Sequence, residues 1–212
     1  MRKLAAALRA AGHKVIETRE PGGTAIGERI RQVLLDSKTK SLSPLAEMAL
    51  MFAARAHHIA EVIQPAVDSG QIVLCDRFTD STEAYQGYGR NLGSENVLQL
   101  HHILCGDLQP DLTILLDSDP ALSIGRARRR NQSAAHANHK GASGSAKSQA
   151  DENRFEQQNR RFFARVHEGY LAIAAREPRR VAVVDASGTP AQTHRRILEV
   201  IERRLKLVKV EA

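Results

Sequence analysis

Three stretches of this chain gather residue types that can hold an anion or read a planar ring. In TREPGGT (18–24) and the following IGERIR (26–31), Gly22 and Gly23 let backbone amides approach a ligand closely or take positive φ. Arg19 and Arg31 add guanidinium forks with two-point phosphate geometry. A plain turn between strand and helix would read the same way. In CDRFTDSTEAYQGYGR (75–90) an apolar run delivers Asp76 and Arg77, and a polar helix start follows. The Asp and Arg could form an ordinary ion pair. Beside them, however, Thr82, Tyr85 and Gln86 fall three and four residues apart, where hydroxyl and amide groups on one helical face can read a sugar and a base. In AEMALMFAARAHH (46–58), Glu47, Met51 and Arg55 repeat every four residues. That pattern is either a core helix with an exposed Arg, or a thioether and a guanidinium arranged to stack on and hydrogen-bond a flat heterocycle.

The elements that must position these residues are legible. Apolar runs with β-branched residues at Val15 and Ile16, at 72–75, at 112–116 and at 181–184 alternate with helix-patterned segments, which predicts an α/β fold with a parallel sheet. Asp76, Asp117 and Asp185 close three of the runs and Thr18 and Arg19 close the first, so polar groups gather at the carboxyl ends, where open α/β sheets bind ligands. A first helix over 4–11 ends at Gly12, a C-cap signal, and Ser43 and Pro44 open a second that should run to Ser69 and Gly70, with a kink or break near Gln64 imposed by Pro65. A last helix from about Thr189 and Pro190 carries Ile197, Val200, Ile201 and Leu205 on one face. The Ala-, Ser-, Gly- and His-rich stretch 131–150 has no apolar face and reads as a flexible insertion, with His136 and His139 too lightly accompanied for a metal site.

Composition sets the outer limits. With 212 residues the chain can bury one core, and residues 1–212 are expected to form a single domain. A net charge of +7 makes anionic partners plausible without choosing between nucleotide and nucleic acid, and no aromatic-interleaved basic surface favours the latter. Cys75 and Cys105 lack disulfide or zinc-ligand spacing and read as small buried thiols. No long apolar run indicates a signal peptide or a membrane span, so a cytoplasmic location is expected.

Taken together, TREPGGT, FAAR, DRFTDST, AYQG and PDLTILLD (110–117) resemble bacterial thymidylate kinase, from about Leu4 to Leu205. The resemblance implies a P-loop nucleoside monophosphate kinase fold, phosphorylation of dTMP to dTDP for dTTP biosynthesis, ATP as donor with Mg2+, and a homodimer. Carried over by position, Arg31 and Arg77 would hold the dTMP phosphate, Asp76 would lie near the metal and the reacting phosphates, and Arg19 and Glu20 would shape that pocket. Arg55 and Gln86 would read thymine, Tyr85 would pack near the deoxyribose, and Thr82 takes a small polar position. The stacking position falls on Met51, with Phe52 beside it as the alternative. A lid over 126–158 would bring Arg126, Arg128, Arg129, Arg130 and Arg154 over the phosphates, with Glu156 retained and Asn153 replacing the usual Asp.

One part of the family pattern is absent from the sequence: no G-x-x-x-x-G-K-[ST] string occurs in the chain. The resemblance places that loop after a central first strand, directly before the helix that here starts near Lys3. The expectation is therefore a recorded start that falls late, with a first central strand missing and the sheet split. Each unpaired inner-edge group would cost on the order of 1–3 kcal/mol, and catalysis by the 212-residue chain would be impaired. The alternative is a non-catalytic remnant that at most binds dTMP.

Overall fold

The computed structural model describes residues 1–39, 42–118, 154–155 and 157–208. Arg126, Arg128, Arg129, Arg130, Asn153, Glu156 and the 131–150 stretch lie outside the described residues. Helix α1 (Arg2–Ala10) leads through Gly12, at φ +92°, into β1 (Val15–Arg19). Helix α2 (Ala25–Leu35) starts at Thr24, whose hydroxyl accepts from the Gly27 amide. Helix α3 (Pro44–His58) starts with the Ser43 hydroxyl accepting from Ala46 and Pro44 in the first turn, where a missing N–H costs nothing.

Beyond α3 the kink or break expected near Gln64 takes the form of a change of helix type rather than a gap in the helix. The helical path widens into a π-helical segment, Ile59–Ile63, and resumes as α4 (Gln64–Asp68), which contains Pro65. Pro65 offers no N–H and its ring crowds the carbonyl four residues back, and the wider turn ahead of it absorbs that conflict while the helix continues. Strand β2 (Ile72–Asp76) follows, then the short α5 (Thr79–Thr82), a second π-helical segment (Glu83–Gly89) and α6 (Ser94–Cys105). The chain continues through β3 (Thr113–Asp117), α7 (Arg160–Arg176), β4 (Val181–Asp185) and α8 (Pro190–Leu205). Helix α8 opens with a reciprocal cap between Thr189 and Gln192.

Among the described residues all strand pairing is parallel. β1 pairs with β2, placing Arg19 opposite Asp76, and β3 pairs with β4, placing Asp117 opposite Asp185. Among the described residues no ladder joins β2 to β3, so the strands form two pairs. They share one core nonetheless: Leu8 of α1 and Ile201 of α8 pack with Val15, Ile72 and Leu74 from one pair and with Leu112 at the entry to β3. A second cluster gathers Met48, Phe52, Val97 and Cys105 between α3 and α6.

Helix α7 lies tightly on the second π-helical segment. Arg165 of α7 donates to the carbonyls of Tyr88 and Gly89, satisfying groups at the end of that segment. The approach is close enough that a Cβ on Gly89 would stand 2.7 Å from the Phe162 ring and 2.9 Å from Val166. Gly89→Ala should therefore destabilise the fold by about 1–3 kcal/mol, read as a lower urea midpoint with an unchanged slope.

Candidate functional site

The carboxyl ends of β1 and β2 carry the polar centre of the molecule. Glu20, just past β1, is buried, and its backbone N–H donates to the Asp76 carbonyl at the end of β2. Its carboxylate accepts from Arg55 Nε of α3 at 2.7 Å and from His58 Nδ1 at 2.9 Å. The other ring nitrogen of His58 lies 2.6 Å from the Thr18 hydroxyl, which completes a buried chain from Thr18 through His58 and Glu20 to Arg55. With Nδ1–H given to a carboxylate, the neutral imidazole has Nε2 as the acceptor for the Thr18 O–H. Arg55 continues the chain by donating Nη2 to Thr82 Oγ1 at 2.8 Å.

Two rings flank the Arg55 guanidinium, Phe52 at 4.9 Å and Phe78 at 5.2 Å from its central carbon to the ring centre. Phe52 is fully buried in the α3–α6 cluster, so the reading in which it swings onto a ligand conflicts with its packing; Met51, the other candidate, is half-buried. Phe78 was missed as a site residue, although an aromatic directly after Asp76 and Arg77 was a usable signal. Thr18 and His58 were missed in these roles because their partner lies 38 residues or more from one of them in the chain.

The Gly22–Gly23 turn has φ of +133° and +79° and packs closely on this centre. A Cβ on Gly23 would stand 2.4 Å from His58 Nε2, which explains the glycine there beyond backbone freedom. Glu28 of α2 reaches back to the turn: one carboxylate oxygen accepts from the Gly23 amide at 3.1 Å and the other from Arg19 at 2.9 Å. Partial burial pushes the Glu28 carboxyl up, but the Arg19 bond, the Gly23 amide and the nearby Arg31 charge outweigh it and hold the group below its ordinary range. Arg31 donates to the Pro21 carbonyl at 3.0 Å.

On the β2 side, Asp76 and Arg77 are exposed, and Arg77 adopts φ +73°, the left-handed region that side chains rarely occupy. Its guanidinium lies over the Tyr85 ring at 5.0 Å. Tyr85 also meets Phe155, Phe162 and Tyr170 edge to face. Burial pushes the Tyr170 phenol up to about 12, against the opposing Arg77 charge, so the hydroxyl stays protonated and donates to Ser81.

Thr82, Tyr85 and Gln86 do not share a regular α-helical face, because the chain passes from α5 into the π-helical segment between Thr82 and Glu83. Thr82 and Gln86 are buried and Tyr85 is half-buried. Gln86 Nε2 donates to Glu47 Oε1 at 2.8 Å. Arg154, expected over phosphates, is instead buried here: Nη2 pairs with Glu47 and Nε donates to the Leu34 carbonyl at 2.6 Å. The reason is that Glu47, itself buried, needs cationic donors.

Two buried polar atoms of this region have no hydrogen-bond partner among the described residues: the donor Arg55 Nη1 and the acceptor Gln86 Oε1. Buried polar groups are satisfied as a rule, so these two are exceptions within an otherwise bonded cluster. Glu20, His58 and Cys75 also bring potential metal-ligating atoms within 4.8 Å of one another. Both His58 nitrogens are engaged, Arg55 faces Glu20, and burial, with Glu20 and Asp76 nearby, pushes the Cys75 thiol up and keeps it protonated, so this donor set does not suit Mg2+, which prefers oxygen ligands. The exposed Asp76 carboxylate does suit it. No helix among the described residues is long and apolar enough to cross a membrane.

A family model described as thymidylate kinase matches residues 1–197. The chain is 47% identical over 190 residues to a thymidylate kinase of Solidesulfovibrio magneticus, covering 90% of this chain and 85% of the relative. It is 42% identical over 205 residues to one of Geobacter sulfurreducens, covering 97% of this chain and 90% of the relative. Among solved structures, thymidylate kinase from Ehrlichia chaffeensis superposes with a TM-score of 0.65 at 28% identity, over 89% of this chain and 80% of that chain.

His58→Ala should strand Glu20 and Thr18 and lower stability by about 1–3 kcal/mol, measured by urea denaturation. An NMR titration of the Glu28 carboxyl should give a midpoint below the usual glutamate range, and Arg19→Ala should move it upward. The contribution of that clamp is present above the ordinary carboxylate range and is lost as the pH falls through the lowered midpoint.

Proposed function

The chain belongs to the thymidylate kinase family, and from that premise we propose that it carries the acceptor half of an enzyme that phosphorylates dTMP to dTDP with ATP. The observation that carries the reading is the buried, unpartnered pair of Arg55 Nη1 and Gln86 Oε1. Thymine offers the matching complement, a carbonyl acceptor at O4 beside an N3–H donor.

Around that pair, the thymine lies with Met51 at its face, Tyr85 by the deoxyribose and Thr82 bracing Arg55. Arg77 and Arg31 hold the phosphate, and the Gly22–Gly23 turn with Arg19 and Glu20 shapes the floor. In the reaction an oxygen of the dTMP phosphate attacks the γ-phosphorus of ATP, forming a new P–O bond while the bond to ADP breaks. That oxygen is already anionic, so the protein's task is to position it and to balance charge. Arg77 and Arg31 do this on the acceptor side. Mg2+, for which Asp76 is the fitting oxygen ligand, supplies charge neutralisation on the phosphates when bound.

The donor half is proposed to come from a central strand and Gly-rich loop outside these 212 residues. Two observations support this: the sequence contains no G-x-x-x-x-G-K-[ST] string, and β2 and β3 do not pair with each other among the described residues. The lid arginines Arg126 and Arg130 would complete that half, joined by Arg154 on release from its pair with Glu47. A homodimer would cover apolar side chains that α3 and α6 leave at the surface, Leu45, Ile103 and Leu104. A cytoplasmic setting fits the free thiols Cys75 and Cys105.

The test has two arms. Calorimetry on the 212-residue chain should detect dTMP binding that Arg55→Ala or Arg77→Ala weakens by about tenfold to a hundredfold. The same chain should phosphorylate dTMP near background, whereas a version extended at its start by a strand and a G-x-x-x-x-G-K-[ST] loop should turn over robustly and lose activity with either substitution. Robust turnover by the 212-residue chain would overturn the donor-half proposal. Binding without turnover in the extended version would favour the alternative, a non-catalytic dTMP-binding remnant.

A further inference from the structure

Glu47 lies in the first turn of α3 with no surface exposed to solvent. Its Oε1 accepts from Gln86 Nε2 at 2.8 Å and from Arg90 Nε at 3.1 Å, and its Oε2 accepts from Arg90 Nη2 at 3.1 Å and from Arg154 Nη2. The two ends of an amide have nearly the same shape, so what selects the end facing a ligand is the partner at the other end. A carboxylate accepts and does not donate. The NH2 end of Gln86 therefore turns to Glu47, and Oε1 is left turned away, buried and without a partner among the described residues.

We propose that Glu47 is a positioning residue that sets the base specificity of the pocket: by fixing the Gln86 amide with its oxygen toward the ligand, it makes the site require a ring N–H. The proposal rests on the reading of Arg55 and Gln86 as the base-reading pair. Given that pair, a keto pyrimidine such as thymine or uracil presents N3–H to Gln86 Oε1 and O4 to Arg55 Nη1. Cytosine presents the reverse, a bare N3 acceptor and an amino donor, so both contacts become mismatched. The pair does not see the 5-methyl group, so it treats dTMP and dUMP alike. Arg90 anchors Glu47 from outside this contact, with its guanidinium over the Phe162 ring at 4.9 Å and Nη1 bonded to Gln158.

Calorimetry of dTMP, dUMP and dCMP with the 212-residue chain tests this. The chain should bind dTMP and dUMP at least about tenfold more tightly than dCMP, since the mismatch leaves a buried acceptor against an acceptor. Glu47→Gln, which keeps the shape and removes the acceptor-only character, should lower the dTMP-to-dCMP ratio by about tenfold. In a Gln86→Ala background the same substitution should leave the ratio unmoved. Arg90→Met removes two of the same bonds without touching the amide and should lower stability but keep the ratio. An unchanged ratio in Glu47→Gln overturns the proposal, as does an equal fall in Arg90→Met, which would reduce Glu47 to a structural part. Absence of dTMP binding by the unaltered chain would instead sink the reading of the pocket itself. If Glu47→Gln does not fold, the unaltered chain decides: the Gln86 side-chain amide protons should be protected from solvent exchange, and exchange as fast as that of an exposed glutamine refutes the proposal.

Discussion

Glu20 and Arg55 are buried together, with side chains only 4% and 2% exposed, and the surroundings are arranged to make that tolerable. Removing both charges from water costs several kcal/mol per ion unless geometry and further hydrogen bonds compensate. Here His58 takes the second carboxylate oxygen, Thr82 takes a second guanidinium nitrogen, and the guanidinium carbon lies over the Phe52 and Phe78 rings. The pair thus ties the end of β1 to α3 and, through Thr82, to the start of the π-helical segment. One guanidinium nitrogen stays unpartnered among the described residues. In the proposed reading, that omission makes the ion pair a recognition element as well as a structural one.

Glu47 repeats the design one layer away. It too is a buried carboxylate on α3, and it is compensated by Arg90 and Arg154 rather than by one partner. In the proposed base pocket the two carboxylates orient one donor, on Arg55, and one acceptor, on Gln86. Neither side chain has freedom to reorient cheaply, because turning it would expose a buried charge to a mismatched neighbour. In the proposed reading the pocket's hydrogen-bond pattern is therefore fixed before a ligand arrives.

Backbone irregularity serves the same centre. The Gly22–Gly23 turn lies against His58, Arg77 takes a left-handed conformation that carries its guanidinium over Tyr85, and the π-helical segment presents Gln86 with Gly89 pressed against α7. Each departs from regular structure at the carboxyl edge of β1 and β2, where strained or widened backbone is held in place by packing on several sides.

Much of this was open to direct reading from the chain. The four strands, the Ser43 and Thr189 caps and the docking face of α8 follow from hydrophobic period and capping chemistry, which are local and hence visible in sequence. The motifs 18–24, 46–58 and 75–90 name the side chains of the proposed site. Other features depend on contacts between residues far apart in the chain, and no spacing rule encodes those. Such features are the burial of Phe52, the bond from His58 to Glu20, the pairing of Arg154 with Glu47, and the widening of the helix ahead of Pro65 and around Gln86. The sequence by itself determined which elements form and which chemistry they carry. Tertiary structure alone decided which polar atoms are satisfied and which two, on Arg55 and Gln86, are left without a partner among the described residues, because hydrogen-bond satisfaction in a buried site is a property of the assembled neighbours.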